Sequence, residues 1–164
     1  MSHSVVDASV ALGWYLKDED DRTYNLNVLA GLNTNEVPFL STYEVTNGLV
    51  IAYRRKRVGQ GEIETILSSL RTLPIAVDQP DPARVMQLPD LALKHQLTVY
   101  DAAYLELALR LKLPIATKDD ALKRAMRDSK QSNRRLAQCA NGEPLPCGRG
   151  SVRFGKRSLA VAAQ

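Results

Sequence analysis

Cysteine is nearly absent from this chain. Its two residues, Cys139 and Cys147, have neither the spacing of a zinc or redox motif nor enough partners for a disulfide framework. A metal knuckle and a disulfide-stapled scaffold are therefore excluded, and the thiols are expected to be reduced. Long apolar runs are missing too. No stretch reaches the roughly 18–20 residues that a membrane helix needs, and the opening MSHSVVDASV lacks the basic-then-apolar layout of a signal peptide. The expectation is a cytoplasmic protein with no membrane part. Aromatics are few, no internal repeat occurs, and Gly148-Arg149-Gly150 is too short to form a phosphate-binding loop. At 164 residues the chain has room for one ordinary domain and none for a second large one.

Charge is present but unevenly placed. The net charge of +4 hides a C-terminal stretch, residues 131–164, in which Arg134, Arg135, Arg149, Arg153, Lys156 and Arg157 face only Glu143, a balance of +5 that leaves −1 for residues 1–130. The basic character thus belongs to the tail, so it says little about a nucleic-acid face on the folded part.

Short apolar runs rich in β-branched residues alternate with longer amphipathic stretches, the pattern of βαβ units around a parallel sheet. Candidate strands are Ser4–Val6, Val37–Leu40, Pro74–Val77 and Pro114–Ala116, each short enough to be covered on both faces. Glu62–Leu73 puts Ile63, Ile66, Leu67 and Leu70 on one helix face. Ala102–Leu111 is apolar nearly all round, with Glu106 and Arg110 at i, i+4 on a solvated edge. Pro82 can open a further helix, and Pro89 divides that segment before Leu91–His95. From Asp128 onward the periodicity stops. Residues 1–127 are thus expected to form the domain and 128–164 a basic, irregular tail, mobile or packed at the periphery.

Four carboxylates stand just beyond a candidate strand or at the opening of a helix: Asp7 after SVV, Glu44 after FLSTY, Asp101 after LTVY and Asp119 after PIAT. Taken singly, each is accounted for by helix capping, with Ser41-Thr42-Tyr43-Glu44 fitting a capping box. Taken together, they fall on the edge where ligands bind to open parallel sheets. Several ionised acids in one cleft repel one another and call for a cation, and an all-oxygen set suits a hard ion such as Mg²⁺ or Mn²⁺. Hydrolysis of a phosphodiester is the chemistry such a site serves.

At these residues the chain resembles the PIN-domain family, and in particular VapC-like toxins of VapBC-like toxin–antitoxin pairs. VVDASVALGWYL is similar to the family's opening motif and YEVTNGL to its Glu-containing helix. TVYDAAYLELALRLKLPIATKDDAL resembles its Asp-containing helix, following strand and Thr-x-Asp turn. The resemblance covers about residues 3–127 and implies a PIN-like three-layer α/β/α sandwich with a small parallel sheet. It implies Asp7, Glu44, Asp101 and Asp119 as metal-binding catalytic acids, Asp120 being a less favoured alternative to Asp119 because Thr117-Lys118-Asp119 fits Thr-x-Asp. It further implies an Mg²⁺- or Mn²⁺-dependent endoribonuclease, an RNA substrate, a VapB-like antitoxin that blocks the acidic cleft, often with a basic side chain, and a homodimer through helical surfaces. A short final strand is expected in the family where this chain has its basic tail.

Three residues stand in support. Ser9 can hydrogen-bond a carboxylate or cap a first turn, and the residue pattern leaves both open. Asn47 lies three residues after Glu44 on one helix face, placed to orient it or to be exposed filler. Thr117 opens the Thr-x-Asp turn. Arg54, Arg55, Lys56 and Arg57 suit a solvated helix end. His3, His95, Trp14, Tyr100 and Tyr104 are assigned no chemistry, the tyrosines having core spacing. Two other readings compete: a catalytically silent PIN-like binding module whose acids only cap helices, and a phosphatase with Asp7 as nucleophile, which lacks the second acid of Asp-x-Asp in Asp7-Ala8-Ser9-Val10.

Overall fold

The computed structural model describes residues 3–16, 22–31 and 34–140, with side chains to residue 131 in the last helix. Four parallel strands, β1 (Val5–Val6), β2 (Asn35–Pro38), β3 (Ile75–Asp78) and β4 (Ile115–Ala116), form one sheet in the order β3-β2-β1-β4. The helices are α1 (Ala8–Leu12), α2 (Arg22–Ala30), α3 (Leu40–Arg54), α4 (Gln60–Thr72), α5 (Pro82–Val85), α6 (Leu88–His95), α7 (Val99–Leu111) and α8 (Asp120–Ala140).

Successive strand residues face opposite sides, and here they enter two different cores. Val6 and Ala116 pack with Val10, Trp14, Val45, Leu49 and Ile66 of the α1, α3 and α4 side. Val5 packs with Tyr104, Leu105, Ala108, Leu122 and Met126 of α7 and α8, and Ile115 lies against that second cluster. The fold is therefore the expected α/β sandwich, with helices on both faces of a small parallel sheet.

The four strands fall where the apolar runs predict, but β2 starts at Asn35 rather than Val37, and Leu40 already belongs to α3. The cause is a buried polar pairing that no apolar pattern reveals. Asn35, 1% exposed, takes the Ser4 N–H at 2.9 Å and its hydroxyl at 3.2 Å, tying β2 to β1. Pro82 opens α5 behind an Asp81 cap, Pro89 lies in the first turn of α6, and Arg110 pairs with Glu106 at 2.9 Å. Helix α2 has no counterpart in the sequence reading, because its face is polar apart from scattered Leu and Val.

The expected break at residue 128 is not where the helix stops. Helix α8 continues to Ala140, and Ser129 is buried within hydrogen-bonding distance of His95 Nε2, at 3.2 Å. Met1–Gln131 forms one compact unit and Ser132–Gln164 a second, of which the structure describes the helical backbone to Ala140. The expectations for 141–164, including any final strand there, lie outside the described residues. Among the described residues no helix is long and apolar enough to cross a membrane.

Candidate active site

The chain leaves β1 towards β2 and β3, then returns to β4 on the other side of β1. The connections diverge at the seam between β1 and β4, and in an open parallel sheet the crevice lies at the carboxyl ends of such strands. Asp7 and Thr117 are the residues that leave those two strands. The Asp7 N–H donates to Ala116 O at 3.0 Å, carrying the ladder one residue past the sheet.

Asp7 caps α1. Oδ1 accepts the Ser9 N–H at 3.2 Å, while Oδ2 accepts the hydroxyls of Ser9 at 3.0 Å and Thr117 at 2.5 Å. Capping and a place on the rim are therefore compatible for this residue. Thr117 is 1% exposed, and its oxygen also accepts the Asp119 N–H at 3.0 Å, so the Thr-x-Asp turn holds Asp7 as well as its own acid.

Glu44 projects from α3. The capping box open to it in sequence does not form: α3 begins two residues earlier, with Phe39 at the cap and no side-chain bond there, so Ser41 is buried inside the helix. Helix α3 lies close to α1 because residue 48 is glycine; a Cβ there would stand 2.4 Å from Leu12 Cδ1. Glu44 Oε2 accepts the Tyr104 hydroxyl at 2.6 Å. Burial pushes the Glu44 carboxyl above the usual range, the Tyr104 hydrogen bond opposes this, and the negative charges of Asp7 and Asp101 raise it further. Burial, together with the bond to Glu44, likewise drives the Tyr104 phenol upward, so it remains a donor.

Asp101 is in the first turn of α7. Its N–H donates to Thr98 Oγ1 at 3.1 Å, and its Oδ2 accepts the Thr98 hydroxyl at 2.6 Å. Asp119 is exposed and uses Oδ1 to accept the Leu122 N–H at 2.7 Å, which caps α8. Asp120 has a side chain 94% exposed and pairs with Lys123 at 3.1 Å, pointing its charge along its own helix. Asn47 is exposed on α3 and its side chain makes no hydrogen bond among the described residues.

The structure thus brings Asp7 and Asp101 each into electrostatic reach of Glu44. Asp119 is linked to Asp7 by its backbone N–H, which donates to the Thr117 oxygen, while its carboxylate caps α8. Among the described residues no three Asp, Glu, His or Cys side chains converge closely enough to enclose a metal ion as they lie. A closed cage is not what Mg²⁺ requires, since it typically takes one or two carboxylates and keeps several waters. The donor chemistry fits a hard cation: the charges felt by Glu44 are both negative, and all donors are oxygen.

Sequence reasoning missed two residues here. Thr98 was signalled by the Thr-x-x-Asp spacing of Thr98 and Asp101. Tyr104 lies three residues after Asp101, and so on the same face of α7. Its core spacing is borne out by 1% exposure, whereas Tyr100 is 65% exposed and belongs to no core.

A family model described as PIN domain matches residues 4–127. A relative, Ribonuclease VapC3 of Pyrobaculum aerophilum, is 33% identical over 119 residues, spanning 72% of this chain and 90% of the relative. The crystal structure of PAE2754 from the same organism superposes with a TM-score of 0.58 at 22% identity, covering 83% of this chain and 90% of that one.

Proposed function

The chain belongs to the PIN domain family, and from that premise we propose that it is a metal-dependent endoribonuclease, the toxin of a VapBC-like pair. The observation that carries the reading is that Asp7, Glu44 and Asp101, carboxylates from separate elements, lie near enough for Glu44 to feel the charge of the other two. The name of the 33% identical relative supports the reaction class.

In this reading Asp7, Glu44 and Asp101 hold the cation. Asp119 supports the site from the rim, its backbone N–H bonded to the Thr117 oxygen whose hydroxyl holds Asp7. Bound there, Mg²⁺ or Mn²⁺ supplies positive charge for the non-bridging oxygens of the scissile phosphodiester and a source of nucleophile at neutral pH. The chain's own part is orientation. Ser9 and Thr117 fix the Asp7 carboxylate, Thr98 fixes that of Asp101, and the unengaged Asn47 amide is placed to meet a phosphate. No side chain serves as nucleophile: water adds to phosphorus, the bond to the leaving ribose oxygen breaks, and that oxygen takes up a proton. The resemblance to VapC-like toxins extends the proposal to a VapB-like antitoxin and a homodimer. Exposed Met86 (81%), Leu93 (79%) and Tyr100 (65%) on and beside α6 and α7 support a helical contact surface.

One observation favours a second reading. Asp7 and Asp119 both cap helices, as a catalytically silent binding module would require. Cleavage of single-stranded RNA by Glu44→Gln and Asp101→Asn proteins separates the two. Neither side chain serves as a cap, so a silent module predicts no difference from wild type. The nuclease reading predicts loss of cleavage by orders of magnitude with the fold retained, and wild-type rates in both variants would overturn it.

A further inference from the structure

Each of the three coupled acids is gripped by a hydroxyl. Asp7 is held by Ser9 and Thr117, Asp101 by Thr98, and Glu44 by Tyr104. Ser9 and Thr98 hold an acid two or three residues away, whereas Thr117 reaches Asp7 across 110 residues. Tyr104 reaches across 60 residues of sequence, from α7 to α3.

We propose that Tyr104 is a positioning residue of this site, its hydroxyl holding the Glu44 carboxylate in place against the repulsion of Asp7 and Asp101. The inference rests on the nuclease reading and deepens it.

Three features support it. The Tyr104 ring is 1% exposed and packed in the α7 and α8 core with Val5, Leu105 and Leu122, where phenylalanine would fill the same volume. The hydroxyl is therefore not explained by packing, and a buried phenol needs a partner. Second, the two partners differ in freedom. A core tyrosine turns about two side-chain bonds and is locked by its neighbours, whereas glutamate turns about three, so the rigid partner dictates where the flexible one points. Third, the Ser41 side chain, itself 4% exposed and three residues before Glu44 on α3, lies near enough to the phenol to act on it electrostatically. Because Tyr104 engages Oε2, Oε1 of Glu44 stays available to the cleft. Without the hydroxyl, repulsion would turn the carboxylate towards solvent.

A bond that merely ties α3 to α7 predicts a different outcome, and a mutant cycle separates the two. Mn²⁺ affinity of the full chain is measured by calorimetry for wild type, Tyr104→Phe, Glu44→Gln and the double variant, together with the metal-free melting temperature of each. Loss of a group that orients a metal-binding side chain weakens metal affinity by about 10–100-fold. We expect that loss for Tyr104→Phe, with kcat falling and KM for RNA little changed. Once Glu44 is Gln, the same substitution should cost nothing further, because no ligand remains to be positioned. Wild-type affinity in Tyr104→Phe, or an equal loss in the Glu44→Gln background, would overturn the proposal while leaving the nuclease reading standing. Absence of both Mn²⁺ binding and cleavage in wild type would overturn the reading itself, and this proposal with it. If Tyr104→Phe fails to fold, Glu44→Asp keeps the charge, leaves the core untouched and draws the carboxylate back from the phenol. A several-fold loss of Mn²⁺ affinity then supports the proposal, and wild-type affinity overturns it.

Discussion

Replacing Asp7 with Asn keeps the shape of the side chain and removes its charge, so stability and activity should respond on different scales. The cap survives: one oxygen still accepts the Ser9 N–H, now at 3.2 Å, and Asn ranks with Asp at such positions. The other oxygen becomes an amide nitrogen facing the hydroxyls of Ser9 and Thr117, which at present donate to it at 3.0 and 2.5 Å. Hydroxyls can turn and accept. Thr117 already accepts the Asp119 N–H, however, so one or two bonds are weakened, at about 0.5–1.5 kcal/mol each. Relief of repulsion at Glu44 acts in the opposite direction. The net change is about 1 kcal/mol, or about 2–4 °C in melting temperature for a chain of this size. Cleavage should fall much further. Loss of one ligand charge removes about 4 kcal/mol of transition-state stabilisation, which at 1.36 kcal/mol per decade is about a thousandfold in rate. Initial rates on a labelled single-stranded RNA, read beside thermal melts of the same preparations, provide the assay. A variant that cleaves at the wild-type rate, or one whose rate loss is matched by outright unfolding, refutes this reasoning.

Divalent metal should stabilise the fold: at 100 times Kd, binding to the native state alone adds about 2.7 kcal/mol, visible as a rise of about 5–10 °C in the melt of chelator-stripped protein. No shift on adding Mg²⁺ or Mn²⁺ counts against the site. Burial first, then Asp7 and Asp101, raise the folded pKa of Glu44 above its unfolded value. The native state therefore holds that proton more tightly, and metal-free stability should decline as pH rises through the window between the two values and stay lower above it. Glu44→Gln should remove that slope and melt higher at neutral pH; matching profiles of variant and wild type would contradict the sign worked out here. Gly48→Val should drive a side chain into Leu12, cost about 1–3 kcal/mol and part α1 from α3, lowering both the melting temperature and cleavage. A chain ending after Ala140 should fold and cleave. One ending after Arg127 should melt lower, because it cuts α8 and removes the buried Ser129 beside His95; equal melts would show that α8 adds nothing there.

Elements with a regular apolar period were legible: the four strands, the amphipathic α4 and the nearly all-apolar α7 follow from spacing alone. Where polar residues decide, spacing fails. Strand β2 begins at Asn35 because that amide pairs with Ser4, and α8 outruns its apolar stripe because Lys130 to Ala140 contains neither Gly nor Pro to end it. The positions of Asp7, Glu44 and Asp101 were visible as a recurrence at strand ends and helix openings, and the fold brings Asp7 and Asp101 near enough for Glu44 to feel their charge. The role of Tyr104 was hidden because its ring satisfies the core pattern, while its hydroxyl answers to a residue on another helix.

The central claim is that the acid rim needs a cation to cleave RNA. The most direct measurement follows a defined single-stranded RNA in the presence of purified, chelator-stripped protein, with Mg²⁺ or Mn²⁺ then restored. The account predicts no cleavage in chelator, recovery with either ion, and no recovery in Asp101→Asn protein carried through the same preparation. Cleavage that persists in chelator, or that returns equally in Asp101→Asn, would contradict it.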